Sequence, residues 1–301
     1  MAILLSGMFC GDNHSFDFTP TDVPNINNIK IKNGIYDEVF ATRNTNFEYS
    51  ENNKVWDFYT ILYPLFQSNL YAGNVSFTSD TVTAIRVKRR KKGTYTWDVI
   101  FEVPIYTNAD FTFERFDRFA RGNTEYEYSL VPVISGVEGN LNTNEIKSEF
   151  DGIYLVEKDV VYHCYLNTKI PETQRHQNST IIETLGRKKP YVIKNGDLNY
   201  VSGSLNVTFI DKGLNCEYDI ENGWKYREQV DDFLTNGRPK ILKSDTGEMW
   251  LVSIVDSIPQ DFSQHWQMPI HTIRWTEIGD CDSTEDLFDA DLIDVDPRLV
   301  R

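Results

Sequence analysis

The sequence predicts a mainly β protein with two β-rich domains and one helix flanking the second, and three observations lead there. Short runs of alternating apolar and polar residues, separated by Gly, Pro, Asn and Asp, recur from about Asn46 to Ile278. Apolar residues make up 40% of the chain and aromatics 13%, enough for two packed cores. The 301 residues exceed a single domain of about 100–200 residues.

Residues 1–40 are rich in Asn, Asp and Pro and read as an irregular N-terminal segment. Residues 41–167 read as a β-sandwich domain. Within it, Thr81–Val87 and Thr94–Phe101 are β-rich runs joined by Lys88, Arg89, Arg90, Lys91, Lys92 and Gly93. This predicts a hairpin with a long charged tip, Gly93 supplying the positive φ of the turn. In the next run Tyr126, Tyr128 and Leu130 fall on one face of a strand, with Glu127 and Ser129 on the other. A turn at Gly136–Gly139 follows, then a strand near Gly152–Val161. A Tyr-x-Tyr strand before a Gly-rich turn resembles the late strands of an immunoglobulin- or fibronectin-like sandwich.

The polar, Pro-containing stretch Thr168–Gln177 reads as a linker into a second β domain, residues 168–280. Strands are predicted at Thr180–Leu185, Pro190–Ile193 and Tyr200–Ile210. Asn195-Gly196 is read as a hairpin turn and Gly203 as a bulge. Tyr226, Val230, Phe233 and Leu234 recur at helical spacing, and Asn236-Gly237 followed by Pro239 stops that helix. A hairpin of Lys240–Lys243 and Met249–Val255 turns at Asp245-Thr246-Gly247, and Ile273–Ile278 is the last strand. The second domain is thus a β barrel or sandwich with one flanking helix. Residues 281–301 form an acidic tail; from Glu277 onward there are nine acidic residues against two basic ones. Its apolar Leu287, Phe288, Leu292, Ile293 and Val295 are more than a solvated tail requires.

A formal charge of −15 argues against a nucleic-acid backbone as the main partner. The start, Met1–Cys10, lacks the basic region of a signal peptide, and no apolar run approaches the roughly 18 residues of a membrane span. The expectation is a soluble protein made in the cytoplasm. Cys10, Cys164, Cys216 and Cys281 are scattered without close pairs, so free buried thiols are expected and no metal or cofactor site. Cys10, Asp12 and His14 alternate on one face of an extended segment but lack a fourth ligand. His265 and His271 match no ligand spacing, and His163 reads as a strand residue. Asp289, Asp291, Asp294 and Asp296 lack the glycine and distal glutamate of a calcium loop. Phosphate-binding Gly loops, nucleophile elbows and zinc-helix motifs are absent, so no catalytic residue is assigned and the chain is read as no enzyme.

Two segments are candidate interaction sites. Arg86, Lys88, Arg89, Arg90, Lys91 and Lys92 place six cations in seven positions, which reads as a grip on an acidic patch of another copy or partner, with a solvated turn and a nucleic-acid signal as the alternatives. The tail residues Leu287, Phe288, Asp289, Asp291, Leu292 and Ile293 are the complementary candidate.

The stretches Thr184–Ile193, Asn199–Gly203, Phe233–Lys243, Trp250–Val252 and Trp275–Gly279 together resemble structural proteins of phage tails and baseplates from Gram-positive hosts, of the distal-tail or tube-associated type. The resemblance spans roughly residues 80–280 and implies a homo-oligomeric virion protein. Its copies would assemble with one another and with neighbouring tail proteins in rings around a tail axis. The alternative is a carbohydrate-binding receptor-recognition module of the virion, marked by a row of exposed aromatics.

Overall fold

The computed structural model describes residues 78–139, 142–211, 218–220 and 222–299, and the backbone pairing of four earlier strands. The expected fold class holds: the protein is mainly β and sandwich-like, with 49% strand against 11% helix among the described residues. Two compact units are present. The first comprises Met1–Asp151, Ser244–Glu248 and Thr284–Arg301; the second comprises Gly152–Lys243 and Met249–Ser283.

In the first unit the strands are β1 (Ala2–Leu4), β2 (Ile29–Lys32), β3 (Glu38–Thr42), β4 (Ile61–Leu65), β5 (Val82–Lys91), β6 (Asp98–Pro104), β7 (Glu114–Asp117), β8 (Thr124–Ile134), β9 (Val137–Glu138) and β10 (Asn142–Ser148). One sheet runs β10-β8-β5-β6, with β9 beside β8; a smaller one runs β1-β2-β7, and β3 pairs with β4. Residues 1–40, read as irregular, therefore hold β1, β2 and the start of β3. Strands of three to five residues are too short to show an alternation, and their pairing is long-range, as in the parallel register Ala2↔Ile29.

The core of this unit collects Ile85, Val87, Ile100, Phe111, Tyr126 and Leu130. Tyr126, Tyr128 and Leu130 share the buried face of β8, as their spacing predicts. Gly93 has φ +85° in the turn where the Thr94 amide donates to the Lys91 carbonyl, as expected.

The second unit continues with β11 (Ile153–Val156), β12 (Val161–Cys164), β13 (Leu166–Lys169), β14 (Thr173–Ile182), β15 (Tyr191–Thr208), the helix α1 (Gly223–Thr235), β16 (Lys240–Ser244), β17 (Met249–Val255), β18 (Gln260–Asp261) and β19 (Ile270–Gly279). The short α2 (Thr284–Asp289) follows, within the first unit. The large sheet runs β12-β11-β16-β17-β19-β15-β13, with β14 on β15 and β18 on β19.

Helix α1 forms because its apolar stripe meets this sheet. Val230, Phe233 and Leu234 are buried with Leu205, Leu242 and Trp275, and Gly237 at φ +73° ends the helix at its predicted cap. Phe233 lies 4.7 Å from the Tyr162 ring, and Tyr226 packs partly buried on the same cluster.

Three local readings change. The stretch Thr168–Gln177, read as a linker, enters β13 and β14, and Thr173–Gln177 pairs residue by residue with Gly203–Asn199. Its polar residues form a strand because they face solvent. Asn195-Gly196 is no hairpin turn: Gln177 faces Asn199 and Ser179 faces Lys194, so residues 195–198 form a bulge in β15, where Gly196 takes φ +88°. The positive φ that marks a turn serves a bulge equally well. Gly203, in contrast, sits in regular register. A Cβ there would lie 2.7 Å from Trp275 Cζ2 and 2.8 Å from the Glu172 carbonyl oxygen, so the glycine admits a close tryptophan instead of a bulge.

Candidate functional site

The basic run belongs to a strand, and this overturns its reading as a hairpin tip. The alternation Ile85, Val87, Arg89 continues inward along β5, while Arg86, Lys88 and Arg90 point to the other face. Each cation on that second face meets a carboxylate of its own unit. Arg86 Nε lies 2.7 Å from Glu102, directly opposite it in register, and its Nη1 lies 3.0 Å from Glu138. Lys88 Nζ is 2.5 Å from Glu138; Arg90 pairs with its register partner Glu127 and covers the Trp97 ring. Lys92 bridges Glu145 at 2.7 Å and Glu125 at 3.3 Å, and Lys91 lies opposite Tyr126. Carboxylates dispersed along the sequence thus converge on the run when the sheet forms.

Arg89 is the exception in kind, being 4% exposed. Its Nη1 donates to Asp117 Oδ2 at 2.7 Å, and the Tyr128 hydroxyl donates to the same oxygen at 2.5 Å. Asp117 Oδ1 accepts the Phe119 amide at 3.0 Å. Burial disfavours the Arg89 cation, but the Asp117 carboxylate, with Tyr126 and Tyr128, outweighs it and raises the Arg89 pKa. Burial, then the Asp117 charge, raises the Tyr128 pKa well above its ordinary value.

The tail residues are also redirected. Leu287, Leu292 and Ile293 are buried, with α2 lying against β6, and Phe288 is half-buried. They complete the first unit's interior. Asp289 and Asp291 are exposed; Arg298 clamps Asp289 at 3.0 Å and Asp296 at 2.8 Å.

Among the remaining candidates, Cys10, Asp12, His14 and Cys216 lie outside the described residues. Cys164 and Cys281 are free and buried, and burial pushes the Cys164 thiol up to about 12. Asp280, Cys281 and Asp282 bring their ligand atoms within 4.8 Å of one another, and the Cys281 thiol donates to the Met249 carbonyl at 3.0 Å. His163 stacks on Tyr154 within the β11–β12 pair. His271 is buried edge-on to Phe209, 3.6 Å from Asp231; burial lowers its pKa despite that carboxylate. Lys240, fully buried, is held by Glu157 and Asn236 at 2.9 Å each and by the Arg238 carbonyl at 3.0 Å, beside the Phe233 ring. Lys240, Asn236 and Glu157 tie the C-terminal end of α1 to the sheet beneath it.

The unforeseen surface is an arm. Beyond Ser202↔Thr276, β15 leaves β19 and pairs with β14 alone. From Gln177 to Lys194 every residue of this two-stranded ribbon is exposed, on both faces. The exposed set includes Ile181, Ile182, Tyr191, Val192 and Ile193, and Leu185 stands fully exposed at the turn beside Gly186, φ +91°. Arg187 covers the Tyr191 ring at 3.9 Å. The apolar run around Arg187-Lys188-Lys189 is visible in the sequence, but apolar alternation by itself predicts a buried strand.

Two further surfaces lie in the second unit. At the arm's base a groove of about 540 Å³ is lined by Arg175, Leu198, Tyr200, Glu277, Ile278 and Asp280. On α1 and the loop after β18, Trp224, Phe262 and Trp266 are exposed; Arg227 Nη1 donates to the Gln267 carbonyl at 2.5 Å and Gln260 Nε2 to Asp231 at 2.9 Å, fixing loop to helix.

No protein-family model matches the chain, and the search of curated proteins returns no match.

Proposed function

We propose that the chain is a structural subunit of a phage tail or baseplate, made in the host cytoplasm and carried in the virion. Copies join one another and neighbouring tail proteins through protein–protein contacts around the tail axis. The observation that supports this reading is the arm. An isolated two-stranded ribbon is marginal in water at best, and this one leaves a set of aliphatic side chains uncovered on both faces. A partner surface is what such a ribbon needs. Negative-stain microscopy of the purified protein, with its mass measured by light scattering, tests the proposal. Rings or stacked multimers of the 34.9 kDa chain are the expected result, and a monomer at every concentration overturns it.

A second reading, a glycan-contacting surface, is favoured by Trp224, Phe262 and Trp266, exposed together on a helix and loop tied by hydrogen bonds. Soluble cell-wall glycan fragments should quench tryptophan fluorescence in the wild type and not in Trp266→Ala; equal traces for both dismiss it.

A further inference from the structure

We infer that the partner of the arm is a second copy of this chain, and that the tip seats in the groove at the base of that copy's arm. The inference rests on the assembly reading and names the contact that would produce it.

Charge complementarity is the first argument. Residues 177–194 carry Arg187, Lys188, Lys189 and Lys194 against Glu183, a net charge of +3 on a chain of −15, so everything else carries −18. The groove presents two carboxylates, Glu277 and Asp280, against one cation, Arg175. Glu277 is anchored, its Oε2 accepting the Val201 amide at 2.7 Å. A cationic tip finds its complement on a second copy.

Shape and polarity agree. Leu198 and Ile278 line the groove and are both about half exposed, at 55% and 51%. They offer Leu185 and Tyr191 an apolar floor beside the carboxylates that meet Arg187, Lys188 and Lys189. A volume of about 540 Å³ holds a few side chains, as in sites of about 300–1,000 Å³ that enclose small ligands.

Distance removes the intramolecular alternative. Leu185 is ten residues along the ribbon from Arg175, roughly 30 Å at 3.3 Å per strand residue, so a tip cannot reach the groove of its own chain. Tip and groove are different surfaces, so the contact is either exchanged reciprocally in a two-fold dimer or runs head to tail into a ring or filament.

Charge exchange tests the contact. The tip variant Arg187→Glu/Lys188→Glu/Lys189→Glu alters only exposed residues and should keep the wild-type circular dichroism while its mass falls to that of a single chain. Asp280→Lys should do the same, and mixing the two variants should restore a complex, since a reversed tip then meets a reversed groove. As an independent readout, Leu185→Cys with Ile278→Cys should form a covalent ladder on oxidation that neither single variant forms. Folded tip variants that assemble like wild type, with no ladder, overturn this contact while leaving an assembly through other surfaces standing. A wild type that stays monomeric overturns both.

Discussion

Replacing Asp117 of β7 with leucine should damage the first unit more than any single charge removal on β5. The carboxylate, 1% exposed, is the shared acceptor of Arg89, Tyr128 and the Phe119 amide. Its loss strands a guanidinium that is itself 4% exposed, and breaking a buried pair from one side costs about 3–5 kcal/mol. The Tyr128 hydroxyl and Phe119 amide lose their acceptor too, which keeps the cost near the upper end of that range. Removing both charges in Arg89→Met/Asp117→Leu leaves no orphaned ion, so the double variant should recover about 2 kcal/mol or more relative to the sum of the singles. Arg90→Gln is the control, because its pair with Glu127 is partly exposed and should contribute about 1 kcal/mol or less. Hydrogen exchange of peptides covering β5 and β8 reads this unit directly. If Asp117→Leu costs no more than Arg90→Gln, the Arg89 charge is not held as described. The same reasoning condemns Arg89→Glu as a probe of assembly: a carboxylate placed against Asp117 would unfold the unit before it reported on any partner.

Phe233→Ala should destabilise the second unit by about 3–5 kcal/mol, since Phe233 is 6% exposed between Tyr162 and Lys240; urea unfolding monitored by circular dichroism measures it, and a harmless substitution would remove the helix-on-sheet packing. Acid should loosen the ion pairs on β5. Burial works to raise the Glu138 pKa, but hydrogen bonds from Lys88 and Arg86 hold it below its usual 4.5. A depressed carboxylate contributes stability that is present above that value and lost as pH falls through the folded-state pKa. Thermal unfolding between pH 6 and pH 3 should therefore show a smaller acid loss in Glu138→Gln than in wild type, by about 1 kcal/mol or less.

Elements whose signal is local were legible in the sequence. The α1 stripe, the Gly237 cap, the β16–β17 hairpin and the Tyr126–Leu130 face all follow from spacing within one turn or strand. By composition the basic run looks like a hairpin tip, but its period says otherwise: Ile85, Val87 and Arg89 share one parity, which places Arg89 inside. Its neutralising carboxylates, from Glu102 to Glu145, become neighbours only through pairing that no local window contains. The tail's apolar residues were noticed, but whether they face a partner or the chain's own interior is decided by the fold. The arm was hidden for the reverse reason, since exposed Ile181 and Val192 look like core residues in a sequence.

The return of residues 284–301 to the first unit has a consequence for synthesis. Leu287, Leu292, Ile293 and Val295 are part of that unit's interior, yet they leave the ribosome after the whole second unit. At about 5–20 residues per second, the stretch from Gly152 to Ser283 takes roughly 7–26 s to translate. Throughout that interval the first unit waits with its interior open; once Ser283 is made the second unit has all its residues, while the first still lacks those from Thr284 onward. The N-terminal unit is therefore the later of the two to finish. A stop codon just after Ser283 would damage the unit whose other residues were mostly made first.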